Sequence, residues 1–285
     1  MELLLAGAAG IGLLTTVGIV IVLLLEASDF FRLVSPIDFL TGTVWSASIL
    51  PFMFGVIPLA VSTIEVALLG LVVAIPLGLL AAVFLAEYAS VRVRTVVKPI
   101  LEVLAGIPTI VLGFFALNFI TPQILKVIFP SIGTFNMLSA GIVVGLLITP
   151  LIASLSEDAL RAVPRGMREG SFAMAATRFE TVRKVVFPAA LSGIMASIIL
   201  AMSRAVGETM AVVLASSFNP RLTANPLDQG GTMAAFIAQI SSGDTPQDSI
   251  QFKSLFAVAL VLFVMTLVLN LISNRVVARF RTKYA

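Results

Sequence analysis

The chain has 285 residues, of which 59% are hydrophobic and only 12% charged, about half the charge of a soluble domain, and this excludes a water-soluble globule. It holds no cysteine and no histidine, so thiolate chemistry, structural zinc, haem ligation and serine–histidine–aspartate triads are excluded together. A net charge of +3 is too small for a nucleic-acid footprint.

Six apolar runs follow one another at 3–25, 56–86, 96–120, 137–155, 189–216 and 255–272. Each approaches or exceeds the ~20 residues that cross a hydrocarbon core of about 30 Å. The expected fold is therefore all-α and integral to the membrane, with six transmembrane helices in a single domain over 1–285. The first run lacks the basic segment that opens a signal peptide, so it is expected to be retained as a span.

Glu65 near the start of the second run and Glu102 near the start of the third read as interfacial or inter-subunit polar contacts. Pro76, Pro108 and Pro150 fall inside three runs, where kinked spans are expected in preference to breaks. Gly141 and Gly145 have the GxxxG spacing that lets helix backbones approach closely, a spacing that also recurs by chance. Trp45 and Tyr88 read as anchors at the two membrane–water interfaces.

Basic residues fix an orientation. With both ends cytoplasmic, thirteen lysines and arginines fall in inner segments and four (Arg32, Lys126, Arg221, Lys253) in outer ones, Arg204 being left inside a span. The positive-inside rule selects that arrangement.

The inner loop 161–188 carries the densest signals. Pro164 suits the first position of a helix running through Met174. Thr177-Arg178-Phe179-Glu180 has the form of a capping box, so a second helix is expected to start there and to end near Pro188. Phe172, Met174 and Phe179 are then available to enter a partner's groove. The outer loop 217–253 is rich in Pro, Gly, Asn and Asp but contains Thr232-Met233-Ala234-Ala235-Phe236-Ile237-Ala238. That insert reads either as a docking or re-entrant helix or as part of a plain solvated loop.

Arg204 lies 16 residues beyond Pro188, roughly 24 Å along a helix at ~1.5 Å per residue, and so within the membrane. A central arginine costs about 2.5–3.5 kcal/mol on insertion scales, and such residues normally face a bundle interior or a water-filled path. Glu208, four residues on, is expected on the same helix face, paired with Arg204. One reading is an anion pathway, in which the guanidinium presents paired donors to an oxyanion and Glu208 compensates it at rest. The other is an ion pair that fixes helix packing.

Glu169-Gly170-Ser171, with Ala175 six residues after Glu169 and then Val185-Val186-Phe187-Pro188, resembles the EAA loop of ABC importer permeases. Gly170 and Ser171 stand where the family pattern has two alanines, and Ala175 where it has a glycine; a left-handed residue there costs alanine about 1–2 kcal/mol. Further stretches resemble the PstC-type permeases of high-affinity phosphate importers. They are Phe39-Leu40-Thr41-Gly42-Thr43-Val44-Trp45, Phe84-Leu85-Ala86-Glu87-Tyr88, Ala105-Gly106-Ile107-Pro108, Ser156-Glu157-Asp158-Ala159-Leu160-Arg161-Ala162-Val163-Pro164 and Ser203-Arg204-Ala205-Val206-Gly207-Glu208-Thr209-Met210.

The resemblance implies a type I importer-like permease fold, with a core over 56–279, a coupling helix in the loop 161–188 and an external loop over 217–253. It implies Arg204 and Glu208 on the substrate pathway. It further implies Arg165, Glu169, Gly170, Phe172, Ala173, Ala175 and Ala176 in coupling to an ATPase. The implied partners are a PstA-type sister permease, a dimer of cytoplasmic ATPase subunits, an external phosphate-binding protein, membrane lipid and inorganic phosphate, in a cytoplasmic (inner) membrane. No cofactor is implied. The chain has no G-x-x-x-x-G-K-[ST] loop, so ATP is bound and hydrolysed by a partner and this chain is not itself an enzyme. Alternatives are a permease for another oxyanion (phosphonate, sulfate, molybdate) or a stand-alone channel or secondary transporter.

Overall fold

The structure is a computed structural model and describes residues 1–47 and 49–281. Among the described residues six helical stretches are long and apolar enough to cross a membrane: Leu4–Phe31, Ile57–Tyr88, Thr109–Ile128, Met137–Ala162, Arg178–Val206 and Ile250–Ser273.

Helix α1 (Glu2–Phe31) is apolar on nearly every side and largely exposed, as a lipid-facing span must be; among its last turns Ala27 and Phe30 are buried. Phe30 begins an aromatic cluster. The short helix α2 (Pro36–Thr41) supplies Phe39, and an antiparallel pair, β1 (Trp45–Ser46) and β2 (Met53–Phe54), supplies Trp45 and Phe54. The rings meet edge to face, Phe30 to Phe39 at 5.5 Å and Trp45 to Phe54 at 5.8 Å, the geometry the ring quadrupole favours. Trp45 is therefore buried in this cluster and not an interfacial anchor.

Helix α3 (Ile57–Val83) runs on through a wider π-helical turn, Phe84–Tyr88. The amphipathic helix α4 (Val91–Ala105) follows, capped by Ser90, whose hydroxyl accepts from the Val93 amide. The third span is α5 (Thr109–Phe115), a π-helical segment Ala116–Leu125 and the turn α6 (Lys126–Ile128). The run 96–120 is thus not one helix. At Pro108 the chain breaks instead of kinking, because proline has no N–H to give and disfavours helix in the residue before it. The four charges Arg92, Arg94, Lys98 and Glu102 leave α4 outside the span.

Helix α7 (Met137–Ala162) is the most buried span. It packs on α3 so closely that a Cβ on Gly145 would lie 2.7 Å from Val73 Cβ and 2.8 Å from the Gly70 carbonyl. The GxxxG pair therefore makes a true backbone approach. Pro76 and Pro150 lie inside α3 and α7, which continue through them.

After α7 come α8 (Arg165–Ala173) and α9 (Arg178–Thr181), then a π-helical turn Val182–Val186 that opens into α10 (Phe187–Val206). The helix begun at Arg178 does not end near Pro188. The widened turn just before it accommodates the proline, whose ring would otherwise clash with the preceding turn. Beyond a break at Gly207 lie α11 (Met210–Ser216), α12 (Met233–Ser242) and α13 (Ile250–Arg281). The outer insert is thus a folded helix. Thr232 caps it, the Met233 amide donates to the Thr63 hydroxyl at 3.0 Å, and Phe236 packs on Trp45 at 4.8 Å.

Candidate functional site: the cytoplasmic loop and an arginine inside a span

The connection between α7 and α10 is a compact helix-turn-helix. Ala175 at its turn adopts φ 59, the left-handed conformation that the family pattern fills with glycine. Its amide donates to the Phe172 carbonyl at 2.9 Å and the Ala176 amide to that of Ser171 at 3.2 Å. The capping box is complete: the Glu180 amide donates to the Thr177 hydroxyl at 3.3 Å, and the Thr177 amide to the Glu180 carboxylate at 3.0 Å. The Ser171 and Thr181 hydroxyls, 2.9 Å apart, close the two helices on each other.

On this frame Arg165, Glu169, Gly170, Phe172, Ala173 and Ala175 are exposed and Ala176 is half-buried. Phe172, Met174 and Phe179 present large apolar side chains to the outside. The loop is rigid inside and apolar at its tip, a combination that suits insertion into a partner's groove.

The loop is also tied to the span ends. Arg168 reaches Glu87 at the end of α3, with Nη2 2.8 Å from Oε1, and donates to the Val163 and Leu160 carbonyls at 2.6 and 2.7 Å. Arg178 lies over the Tyr88 ring at 5.6 Å. Neither contact is visible in the spacing of the residues. The one sequence signal was the density of arginines in 161–183 opposite a lone glutamate at the end of the second run.

A second ionic cluster sits beside it. Glu157, fully buried on α7, receives Lys98 at 2.6 Å from α4, with Arg161 at 3.5 Å and Arg94 at 3.9 Å; Lys98 also meets Asp158 at 2.7 Å. Burial alone would lower the Lys98 pKa, but the hydrogen bonds and charges of Asp158 and Glu157 outweigh it and raise it above the usual lysine range. Glu102, on the same helix, is exposed, and Glu65 on α3 is half-buried.

Arg204 is placed within a span, near the end of α10, but Glu208 is not on the same helix face. The helix terminates at Val206 with Gly207 as its cap. Glu208 is then buried, and its Oε1 accepts from the Ala211 amide at 3.3 Å, capping α11. Among the described residues no carboxylate lies within ion-pair distance of Arg204, so the expected i,i+4 pair does not form. Gly207 is the reason: a glycine at the C-terminus of a helix favours termination over a further turn. Arg204 and Leu200, one turn apart, are both exposed on α10, while Ser203 beside them donates to Asn270 of α13 at 2.8 Å. Among the described residues no group of three Asp or Glu side chains is arranged to hold a metal ion.

The comparisons agree with this architecture. Residues 74–284 match the family model described as the binding-protein-dependent transport system inner membrane component. A probable ABC transporter permease protein, YqgH of Bacillus subtilis, is 38% identical over 234 residues, 82% of this chain and 75% of the relative. The phosphate transport system permease protein PstC 1 of Mycobacterium tuberculosis is 34% identical over 248 residues, 79% of this chain and 73% of the relative. Among solved structures, an inward-facing MetNI methionine ABC transporter superposes with a TM-score of 0.58 at 21% identity, covering 79% of this chain and 94% of that one. That identity speaks for the fold alone.

Proposed function

Since the chain belongs to the family of binding-protein-dependent transport system inner membrane components, we propose that it is the permease subunit of an ATP-driven importer and lines the path of inorganic phosphate. The substrate follows the relatives named as PstC phosphate permeases. The observation that carries the reading is Arg204, a cation on the exposed face of a membrane-spanning helix with no carboxylate among the described residues to neutralise it. Lipid is an expensive neighbour for such a group; a second permease subunit and a water-filled anion path between the two are not. The planar guanidinium offers phosphate oxygens two parallel donors. Glu208, buried and held on the backbone of α11, does not compensate Arg204 directly.

The exposed tip of the α8–α9 loop, from Arg165 to Ala176, docks on a cytoplasmic ATPase subunit, one copy of a dimer serving this chain and a PstA-type sister. An external phosphate-binding protein delivers the substrate. Thirteen basic residues against four support an orientation with both termini cytoplasmic. Uptake of phosphate by the assembled complex tests the reading. Arg204→Ala should abolish uptake with the complex still assembled, and Arg204→Lys should recover only part of it. Wild-type uptake by an assembled Arg204→Ala complex would refute the pathway role.

A further inference from the structure

Resting on that reading, we infer that Arg168 and Glu87 form a mechanical latch through which movement of the coupling loop reaches α3 as well as α7. The chain itself joins α8 to α7, through Val163 and Pro164, and onward to α9 and α10, but not to α3. A displacement of the loop by a docked ATPase subunit reaches the end of α3 directly through two guanidinium groups, Arg168 on Glu87 and Arg178 over the Tyr88 ring. Of the two, Arg168 makes the hydrogen-bonded contact. Its Nη2 donates to Glu87 Oε1 at 2.8 Å and its Nε lies 3.3 Å from the same oxygen. Its Nη1 donates to the Val163 carbonyl at 2.6 Å and its Nη2 to that of Leu160 at 2.7 Å. Three elements thus converge on a planar group whose donors have fixed directions, which makes the joint stiff in a way an ammonium is not.

The surroundings strengthen the contact. Only 18% of the Arg168 side chain and 10% of the Glu87 side chain is exposed, so water competes poorly for either. Glu87 lies in the π-helical turn Phe84–Tyr88, at the end of α3 away from the aromatic cluster. α3 then carries any displacement along its length: it is packed backbone to backbone against α7 at Gly70 and Gly145, and at its far end Thr63 accepts from the amide that starts α12. Arg168 lies within the docking segment, but its side chain is turned inward onto Glu87, and both side chains are mostly buried. They are positioning residues, and their consequence is in coupling.

The test is the ratio of phosphate taken up to ATP hydrolysed, in proteoliposomes holding the whole complex, for wild type, Glu87→Ala, Glu87→Gln and Arg168→Lys. If the wild-type complex shows no ATP-dependent uptake, the functional reading itself fails. If it transports, Glu87→Ala should hydrolyse ATP at a near-normal rate while the ratio falls at least about five- to tenfold, the scale of a typical coupling free energy. Glu87→Gln, which keeps an acceptor for the guanidinium, should lose less. A merely structural pair would lower assembly and both rates together and leave the ratio unchanged, and that result overturns the latch. Should Glu87→Ala not assemble, the ratio is read from Glu87→Gln and Arg168→Lys, and wild-type values in both overturn it equally.

Discussion

The Lys98 ammonium lies 2.6 Å from the Glu157 carboxylate, which has no exposed surface, and so ties α4 to α7 across 59 residues of sequence. Removing the two partners has unequal consequences. Lys98→Met leaves a buried carboxylate with only the longer contacts from Arg161 and Arg94. The expected loss is about 2 kcal/mol, short of the ~3–5 kcal/mol of a fully orphaned buried charge. Glu157→Gln keeps an acceptor for Lys98 and leaves cations that can turn to water, so about 1 kcal/mol is expected. Since Lys98 has a raised pKa, the pair's contribution is complete below the unfolded lysine pKa of about 10.4 and fades as pH rises through the higher folded value. Thermal unfolding in detergent should show a constant gap between wild type and Lys98→Met from pH 7 to pH 9, a range that ends more than about one unit below the unfolded lysine pKa. A gap that closes within the range would contradict the assignment.

Ala175 makes the turn of the cytoplasmic loop at φ 59, where a Cβ is unfavourable by about 1–2 kcal/mol. Ala175→Gly relieves that strain but loosens the unfolded chain, for a net gain near 1 kcal/mol. Hydrogen exchange at the Ala175 and Ala176 amides, which close the turn on Phe172 and Ser171, should slow about fivefold. Ala175→Val, β-branched in a left-handed position, should speed it. Faster exchange in the glycine variant would mean that the turn is not strained.

Much of this architecture is legible in the sequence because membrane spans and helix caps are local signals. The capping box at Thr177 and Glu180 appears where the letters place it, and of the two readings of the outer insert the helical one holds, over Met233–Ser242. What sequence does not show depends on chain breaks and on distant partners. Periodicity cannot tell a kink from a break, so Pro108 and Gly207 each divide what reads as one apolar run. The second break removes Glu208 from the face of Arg204. Arg168 and Glu87 are 81 residues apart, and only packing brings them together.

Orientation is the last prediction, since the direction of transport depends on it. The natural chain has no cysteine, so single substitutions report side without background. The proposed orientation puts the arginine- and lysine-rich segments after α3 and α7 and the C-terminal end of α13 in the cytoplasm, as the positive-inside rule expects. Ser90, beside α3, and Gly166, in the loop after α7, are exposed, and a side chain at Gly166 would meet nothing within 4 Å. Gly133 and Asp244, in the connections on the opposite ends of the spans, are exposed as well. Gly133→Cys and Asp244→Cys should react with an impermeant maleimide on intact cells. Ser90→Cys and Gly166→Cys should react only once the membrane is opened or in inverted vesicles. Ser90→Cys, Gly133→Cys and Asp244→Cys avoid Arg204, Glu87, Arg168 and the docking segment, so uptake can be measured on the same cells to show that those labelled chains are assembled; Gly166→Cys, within the docking segment, is read by labelling alone. Labelling of Ser90→Cys from outside, in cells that still take up phosphate, would reverse the orientation and put the α8–α9 loop on the wrong side of the membrane for any ATPase.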